Sequence, residues 1–460
     1  MIAIVVVAPL IAALGTLVFW VPAQRLIMRI ASALLAALLP ITLVGHIDGL
    51  ALLFTALISI LSFAATAFSA GAFLTEWQAE EAMWSRKPIF FLLLGTFWSA
   101  MLMVLLANNF ALLWLGITTT TLATTFLVGF SGEAAALEAA WKYLVLCSVG
   151  IALALLGIVV LAHVAIAEGL APGQALAWTS ITAHARAGAP PLARLATGLM
   201  LIGFATKAGL VPMHAWLPDA HSKAPPPISA LLSGVLVSCA LYAIIRTLAV
   251  GEALGAGPIL HMMLLVLGAL SIVIAGMMML NQSDLKRLLA YSTLEHAGIV
   301  ALALGFGGPL GTFAALVHVV GHAFAKSAAF FAAGLVQRER GTVALGALHG
   351  LWSSGIAGRL LLGAIAALGA MPPFGLFASE LLLVAAGIAA RAWIPLAFGL
   401  LGITLAFIAL ARTAIEIEGG HATPVHRAPA PRLSVAAAGL ALVGAAVTIL
   451  APWSGLRMPP

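Results

Sequence analysis

Charge is what this chain has least of. Only 8% of its 460 residues are Asp, Glu, Lys or Arg, and 63% are hydrophobic, whereas soluble globular domains carry roughly 25% charged residues. A water-facing surface cannot be covered with so little charge, so a polytopic membrane protein is expected, with the lipid bilayer as its solvent. Cysteine is nearly absent as well. Cys147 and Cys239 stand far apart with no CxxC, which gives no basis for an iron–sulfur cluster, a structural zinc site or a disulfide framework, and both read as packing residues. No Rossmann fingerprint or P-loop is present, so the chain is expected to hold no cofactor, to carry no electrons and to hydrolyse no nucleotide. The amino terminus, MIAIVVVAPLIAALGTLVFW, lacks a basic n-region and reads as a first transmembrane helix rather than a cleaved signal peptide.

Long apolar runs are what the chain has in abundance. Segments of the length that crosses a hydrocarbon core number about 14. They begin near Ile2, Leu26, Gly49, Ile89, Asn109, Ala139, Arg194, Pro226, Pro258, Leu288, Pro309, Ala357, Trp393 and Leu433. The tightest join is LANNFALLW, where Asn108 and Asn109 leave almost no loop. Arg25, Arg29, Arg86, Lys87, Lys142, Lys223, Lys286 and Arg287 gather in odd-numbered loops, which places both termini on the non-cytoplasmic side. That asymmetry accounts for the net charge of +6 without a nucleic-acid partner.

Two runs are interrupted. KAGLVPMHAWLPDAHSKAPPPISALL carries Pro212, Pro218 and Pro225 to Pro227, and LGAMPPFGLFASELLLV carries Pro372, Pro373 and Gly375. Neither can be a continuous helix. Irregular backbone at membrane depth survives only where protein or a water-filled cavity satisfies it, so each break points to a functional interior. Broken helices at corresponding places in two halves suggest inverted repeats, 89–250 and 258–414, within a single membrane domain 1–460 that ends in a last transmembrane helix at 433–452.

Ionisable residues inside such a chain stand out. In HVVGHAFAKSAAFF, His318, His322 and Lys326 follow i, i+4, i+8 spacing and share one helix face, with about 6 Å of rise between successive groups. Three such groups on one stripe suit a proton or ion path; the alternative is a set of buried hydrogen-bonding groups that lock helices, or a lysine that snorkels to an interface. Lys207 precedes the first break and Glu380 follows the second, each readable as path or as structural anchor. His214 and His221 flank AWLPDA and either line the first break or pin its half-helices. In NQSDLKRLLAYSTLEHAG, Lys286 with Arg287 reads as topogenic, while His296 is open between the two roles. Lys142 is expected to pair with Glu138 one turn away.

The segments GFATKAGLVPMHAWLPDAHSKAPPPISALLSG, NQSDLKRLLAYSTLEHAG, HVVGHAFAKSAAFFAAG and MPPFGLFASE resemble signature segments of one membrane family. It comprises the antiporter-like, proton-translocating subunits of respiratory complex I, membrane-bound hydrogenases and multisubunit cation/proton antiporters. The resemblance runs from about Phe97 to Ala385, and LEAAWKYLVLCSVGIALALLG is most similar to the hydrogenase-4 component F type. It implies an all-α fold of about fourteen transmembrane helices with two inverted five-helix repeats, each with broken helices. It also implies that Lys207 is the central lysine of a first half-channel, that His318, His322 and Lys326 form a linking axis, and that Glu380 is the terminal exchange group. The long lateral carboxy-terminal helix of the largest complex I relatives is not expected. Two departures matter. The family usually has a glutamate, the ionic partner of the central lysine, where Thr118 stands; complex I relatives carry a lysine where Ser238 stands, although the hydrogenase type usually has an uncharged polar residue there. Thr118 to Thr121 are expected to bond back to helix carbonyls or to hold water.

The resulting expectation is proton translocation across the cytoplasmic (inner) membrane, within a complex whose other membrane subunits and peripheral redox arm supply the energy. The alternatives are a sodium or potassium/proton antiporter module, a non-conducting structural subunit, or a membrane metalloenzyme using His318 and His322 as an HxxxH pair. In the last case Lys326, one turn on, is a poor ligand when protonated.

Overall fold

A computed structural model describes residues 1–15, 22–76, 87–185, 191–419 and 431–450. Arg86 and the final two residues of the span 433–452 lie outside the described residues, as do the side chains of Arg25, Arg29 and Lys87. Among the described residues the elements are helices: α1 (Ile2–Gly15), α2 (Pro22–Leu38), α3 (Gly49–Glu76), α4 (Lys87–Leu106), α5 (Phe110–Val128), α6 (Ala134–Ala167), α7 (Trp178–His184), α8 (Pro191–Ala208) and α9 (Trp216–Lys223). There follow α10 (Pro226–Ala253), α11 (Gly257–Met279), α12 (Leu285–Phe306), α13 (Gly308–Arg340), α14 (Leu351–Ser354), α15 (Ile356–Leu368), α16 (Gly375–Ala389), α17 (Trp393–Glu418) and α18 (Arg432–Val447). Strand pairing among the described residues is limited to one isolated bridge, Asp284 to Ala344.

Nine of the described helices are long and apolar enough to cross a membrane; the shorter apolar helices at Ile2–Leu14, Ile30–Leu43, Ile356–Leu368 and Arg432–Val447 fall near further expected starts, and Gly375–Ala389 is the second part of the run expected from Ala357. In lipid a helix satisfies its own backbone, so the apolar runs fold this way wherever no proline intervenes. The tight join resolves into a cap: Asn109 is extended, and its side chain accepts from the amides of Ala111 (2.9 Å) and Leu112 (3.2 Å), starting α5 with only three residues between it and α4. Asp284 caps α12 in the same way through the Arg287 amide at 2.8 Å. The helix expected from Ala139 begins at Ala134 and runs 34 residues, because the alanines after Glu133 carry it beyond the apolar run.

Burial sorts the helices. The apolar windows of α10 and α12 are 100% buried and that of α13 is 89% buried, whereas those of α6, α11 and α17 are 39%, 39% and 33% buried. The buried three form the centre of the bundle, and the buried histidines and most buried lysines belong to them or to the adjoining break. The outer helices turn large apolar residues such as Trp141, Val149, Met262 and Ile415 outward.

Both expected breaks are present. Helix α8 stops at Ala208, Gly209 adopts φ +76°, and the chain resumes as α9 at Trp216; α15 stops at Leu368 and α16 begins at Gly375. A side chain at Gly209 would also run into Leu217, 2.3 Å from the new carbon, so glycine is needed on both counts. The first break is satisfied by protein: the Val211 amide donates to Ser271 Oγ of α11 (2.9 Å) and Trp216 Nε1 donates to the Thr206 carbonyl (3.0 Å). Helix α10 adds a π turn at Leu232–Leu236, facing α13.

Candidate functional site

Lys207 ends α8 immediately before the first break and is 1% exposed. Its Nζ donates to Thr121 Oγ1 of α5 (2.7 Å) and to Tyr143 Oη of α6 (2.5 Å). Tyr143 in turn shares a hydrogen bond with Thr124 Oγ1 at 2.7 Å. Thr118 to Thr121 all donate back to their own helix, as expected, but the residue that meets the lysine is Thr121 and not Thr118. The hydroxyl of Thr118 is spent on the Trp114 carbonyl at 2.9 Å, and its side chain lines a cavity of about 220 Å³ with Trp114, Thr121, Ser148 and Ile151. The contact with the lysine falls instead to Thr121, about one turn further along α5. Tyr143 was missed by sequence reasoning; its only signal was a lone phenol in an otherwise apolar run.

Beyond the break, His221 lies in α9 with 0% exposure, between the rings of Trp216 (centroids 5.8 Å) and Phe330 (6.2 Å). Neither ring nitrogen makes a hydrogen bond of good geometry among the described residues, the backbone of Leu217 and of Leu232 offering only weaker contacts. It is within electrostatic reach of Lys326 and Lys286. His214 is half-buried in the break, with Nδ1 unpartnered. Lys286, expected as a topogenic charge at the start of α12, is 4% exposed and donates to the Ala224 carbonyl at 2.7 Å, closing the end of α9. Arg287 turns outward to Asp219 (3.5 Å), and Lys142 pairs with Glu138 (2.7 Å) and with Asp219 (3.1 Å).

The stripe on α13 becomes a cluster once α12 is packed against it. Lys326 donates to the Leu289 carbonyl (2.9 Å) and to Ser292 Oγ, both of α12. His322 Nε2 lies 3.3 Å from the Ser233 carbonyl in the π turn, leaving Nδ1 unpartnered. His296 of α12 inserts between the two histidines of α13, its ring 5.1 Å from His318 and 5.0 Å from His322. His296 Nδ1 meets His318 Nε2 at 3.0 Å, and His318 Nδ1 meets Ser379 Oγ of α16 at 2.9 Å. Glu380 follows Ser379 in sequence just past the second break and is half-buried. Glu295, 2% exposed, sits 3.5 Å from His296 Nδ1 and within electrostatic reach of both Lys326 and Glu380. It is the second functional candidate that sequence reasoning missed; its neighbour His296 was the signal. Ser238 is buried and bonds to the Gly234 carbonyl at 2.8 Å, adding no charge.

The arrangement suits proton exchange. Groups able to bind and release protons follow one another at hydrogen-bond or electrostatic range, and His296 Nε2 and His322 Nδ1 keep a ring nitrogen without a hydrogen-bond partner among the described residues. It does not suit a metal pair. The His318 and His322 rings lie nearly parallel at 6.5 Å and bond to Ser379 and Ser233 instead of converging.

Comparison with known proteins is consistent with this geometry. Residues 107–406 match the family described as NADH:quinone oxidoreductase/Mrp antiporter, TM. A hydrogenase-4 component F homolog of Methylacidiphilum infernorum is 43% identical over 295 residues, which cover 62% of this chain and 60% of that relative. The chain thus matches only about three fifths of that relative's length. Among solved structures, a chain of the membrane-bound sulfane sulfur reductase, an archaeal respiratory membrane complex, superimposes with a TM-score of 0.81 at 21% identity, covering 99% of this chain and 98% of that one. A chain of the Mrp complex from Dietzia sp. does so with a TM-score of 0.82 at 18% identity, covering 98% and 94%. At these identities the two structures establish a shared fold.

Proposed function

This chain belongs to the NADH:quinone oxidoreductase/Mrp antiporter transmembrane family, and on that premise we propose that it translocates protons across the cytoplasmic membrane as one membrane subunit of a larger redox-driven complex. One observation carries the reading. His221, Lys326, His322, His296 and His318, all fully or almost fully buried, continue one another from the first break to Ser379 and Glu380 at the second. Ionisable groups at membrane depth are costly and persist where they serve a path. Lys207 is the exchanging group of the first half, Lys326 with the three histidines is the link, Glu295 balances the charge of Lys326, and Glu380 passes the proton on at the far end.

The chemistry of the line favours protons over metal cations. Imidazoles and amines dominate it, whereas a sodium or potassium ion needs several converging oxygen ligands. Similarity to a hydrogenase-4 component F homolog supports a complex with further membrane subunits and a peripheral redox arm. The repeats 89–250 and 258–414, with both termini non-cytoplasmic, fit the two breaks and the gathering of Lys142, Lys223, Lys286 and Arg287 in alternate loops. A cation/proton antiporter module is the second reading, favoured by the two carboxyls Glu295 and Glu380 that flank the cluster as potential oxygen ligands. Inside-out vesicles carrying the intact complex separate the two. Acidification that proceeds in a medium free of sodium and potassium supports proton translocation, and acidification that requires either cation contradicts it.

A further inference from the structure

Lys207 is the deeply buried cation whose surroundings are least expected. Thr121, Thr124 and Tyr143 surround it with neutral hydroxyls, and among the described residues no carboxylate faces it. The polarity of these bonds is set by the helix. Thr121 gives its hydrogen to the Ile117 carbonyl at 2.9 Å, and Thr124 gives its hydrogen to the Thr120 carbonyl at 2.6 Å. Tyr143 therefore donates to Thr124, and its oxygen, like that of Thr121, presents lone pairs to the ammonium. The Tyr143 ring is wedged against Trp216 (centroids 4.9 Å), whose own N–H is held by the Thr206 carbonyl.

We propose that Tyr143 is a positioning residue which, with Thr121, stands in for a carboxylate beside Lys207. It fixes two hydrogens of the ammonium with bonds of set direction and leaves the third as the one that exchanges. The hydroxyl chain is an anchor and not a wire, because it ends on the Thr120 carbonyl, which cannot take up a proton. The third N–H of Lys207 makes no hydrogen bond among the described residues, which leaves it as the one for exchange. Since the cradle is neutral, Lys207 changes its charge without an ion pair having to break. The inference rests on the reading of Lys207 given above.

The test is the pH profile of proton transport by the assembled complex in inside-out vesicles, for the wild type, Tyr143→Phe, Tyr143→Phe with Thr121→Asp, and Lys207→Met. The titratable groups facing Lys207 are Tyr143 and Cys147 of α6 and Cys239 of α10, so the thiols stay constant throughout the series. Tyr143→Phe keeps the ring and removes one acceptor from the ammonium, so the alkaline limb of the profile is expected to move to lower pH by about one unit. Thr121→Asp in that background supplies an anion at the position of the remaining acceptor and is expected to move the limb back. An unmoved limb in Tyr143→Phe overturns the proposal, as does reduced assembly with an unmoved limb, since packing alone then explains the residue. Lys207→Met reports separately on the premise: full transport there removes Lys207 from the path, whereas lost transport there with an unmoved Tyr143→Phe profile removes only the cradle.

Discussion

Replacing Lys207 by methionine separates transport from folding, because the surrounding hydroxyls do not depend on the lysine for their own donors. Methionine is of similar length and unbranched, so the space below Trp216 stays filled. Two hydrogen bonds from a charged donor are lost, each worth about 1.5–3 kcal/mol. Against that stands the removal of a buried ammonium, whose desolvation costs several kcal/mol. Thr121 still donates to Ile117, and Tyr143 still bonds Thr124, so no buried donor is orphaned. The net change in stability is therefore expected to be within about 2 kcal/mol. Transport is another matter, since methionine carries no proton; loss of the exchanging group is expected to lower the rate about a hundredfold or more. The assay is initial acidification of inside-out vesicles, normalised to assembled complex, beside a thermal melt of that complex in mild detergent. Wild-type acidification by a normally assembled variant refutes the reasoning about transport, and failure to assemble refutes the reasoning about the cradle's self-sufficiency.

Three other outcomes follow from the same geometry. Glu380→Gln keeps shape and hydrogen-bonding capacity but cannot release a proton, so vesicle transport falls about a hundredfold, roughly what loss of a proton-transfer group costs at its mildest, with the melting temperature little changed; unchanged transport with a lowered melt shows a structural carboxyl instead. Lys142→Gln breaks exposed ion pairs to Glu138 and Asp219 that are worth about 1 kcal/mol or less, so transport and melting both stay near wild type; a large loss of transport places Lys142 on the path. Gly268→Val puts a carbon 2.6 Å from the Leu302 amide and 2.8 Å from the Gly298 carbonyl, forcing α11 off α12; quantification of assembled complex is expected to show marked loss, and normal assembly means that the two helices tolerate separation.

The sequence disclosed what lies along one helix and hid what lies between helices. The spacing of His318, His322 and Lys326 is an intrahelical fact, and the stripe stands as read. Prolines clustered with glycine made both interruptions legible, whereas the lone Pro9 sits inside α1 without a break, and the Ser271 hydroxyl that satisfies the first interruption comes from α11 and was not legible. His296 was open in the sequence because its place between His318 and His322 depends on how α12 meets α13. Glu295 escaped for the same reason: beside a histidine in a polar-looking segment it resembles a surface residue, and only packing shows it 2% exposed. The burial of Lys286 was hidden by its neighbour, since Lys–Arg at a helix start suggests a solvated pair, yet Lys286 is buried on the Ala224 carbonyl while Arg287 stays exposed beside Asp219. Tyr143 and Thr121 meet Lys207 from two other helices, a convergence that no local pattern encodes.

The central claim is that protons pass through the buried line that Lys326 joins to the three histidines of α12 and α13, and cutting it there is the most direct test. Lys326→Met leaves α13 helical and removes the charge held by Ser292 and the Leu289 carbonyl. The measurement is the proton gradient built by inside-out vesicles in sodium- and potassium-free medium, with electron transfer by the complex recorded at the same time. The account predicts that the wild type builds a gradient and that Lys326→Met, equally assembled, builds almost none. A Lys326→Met gradient equal to that of the wild type, or a wild-type gradient that appears only when sodium or potassium is added, contradicts it.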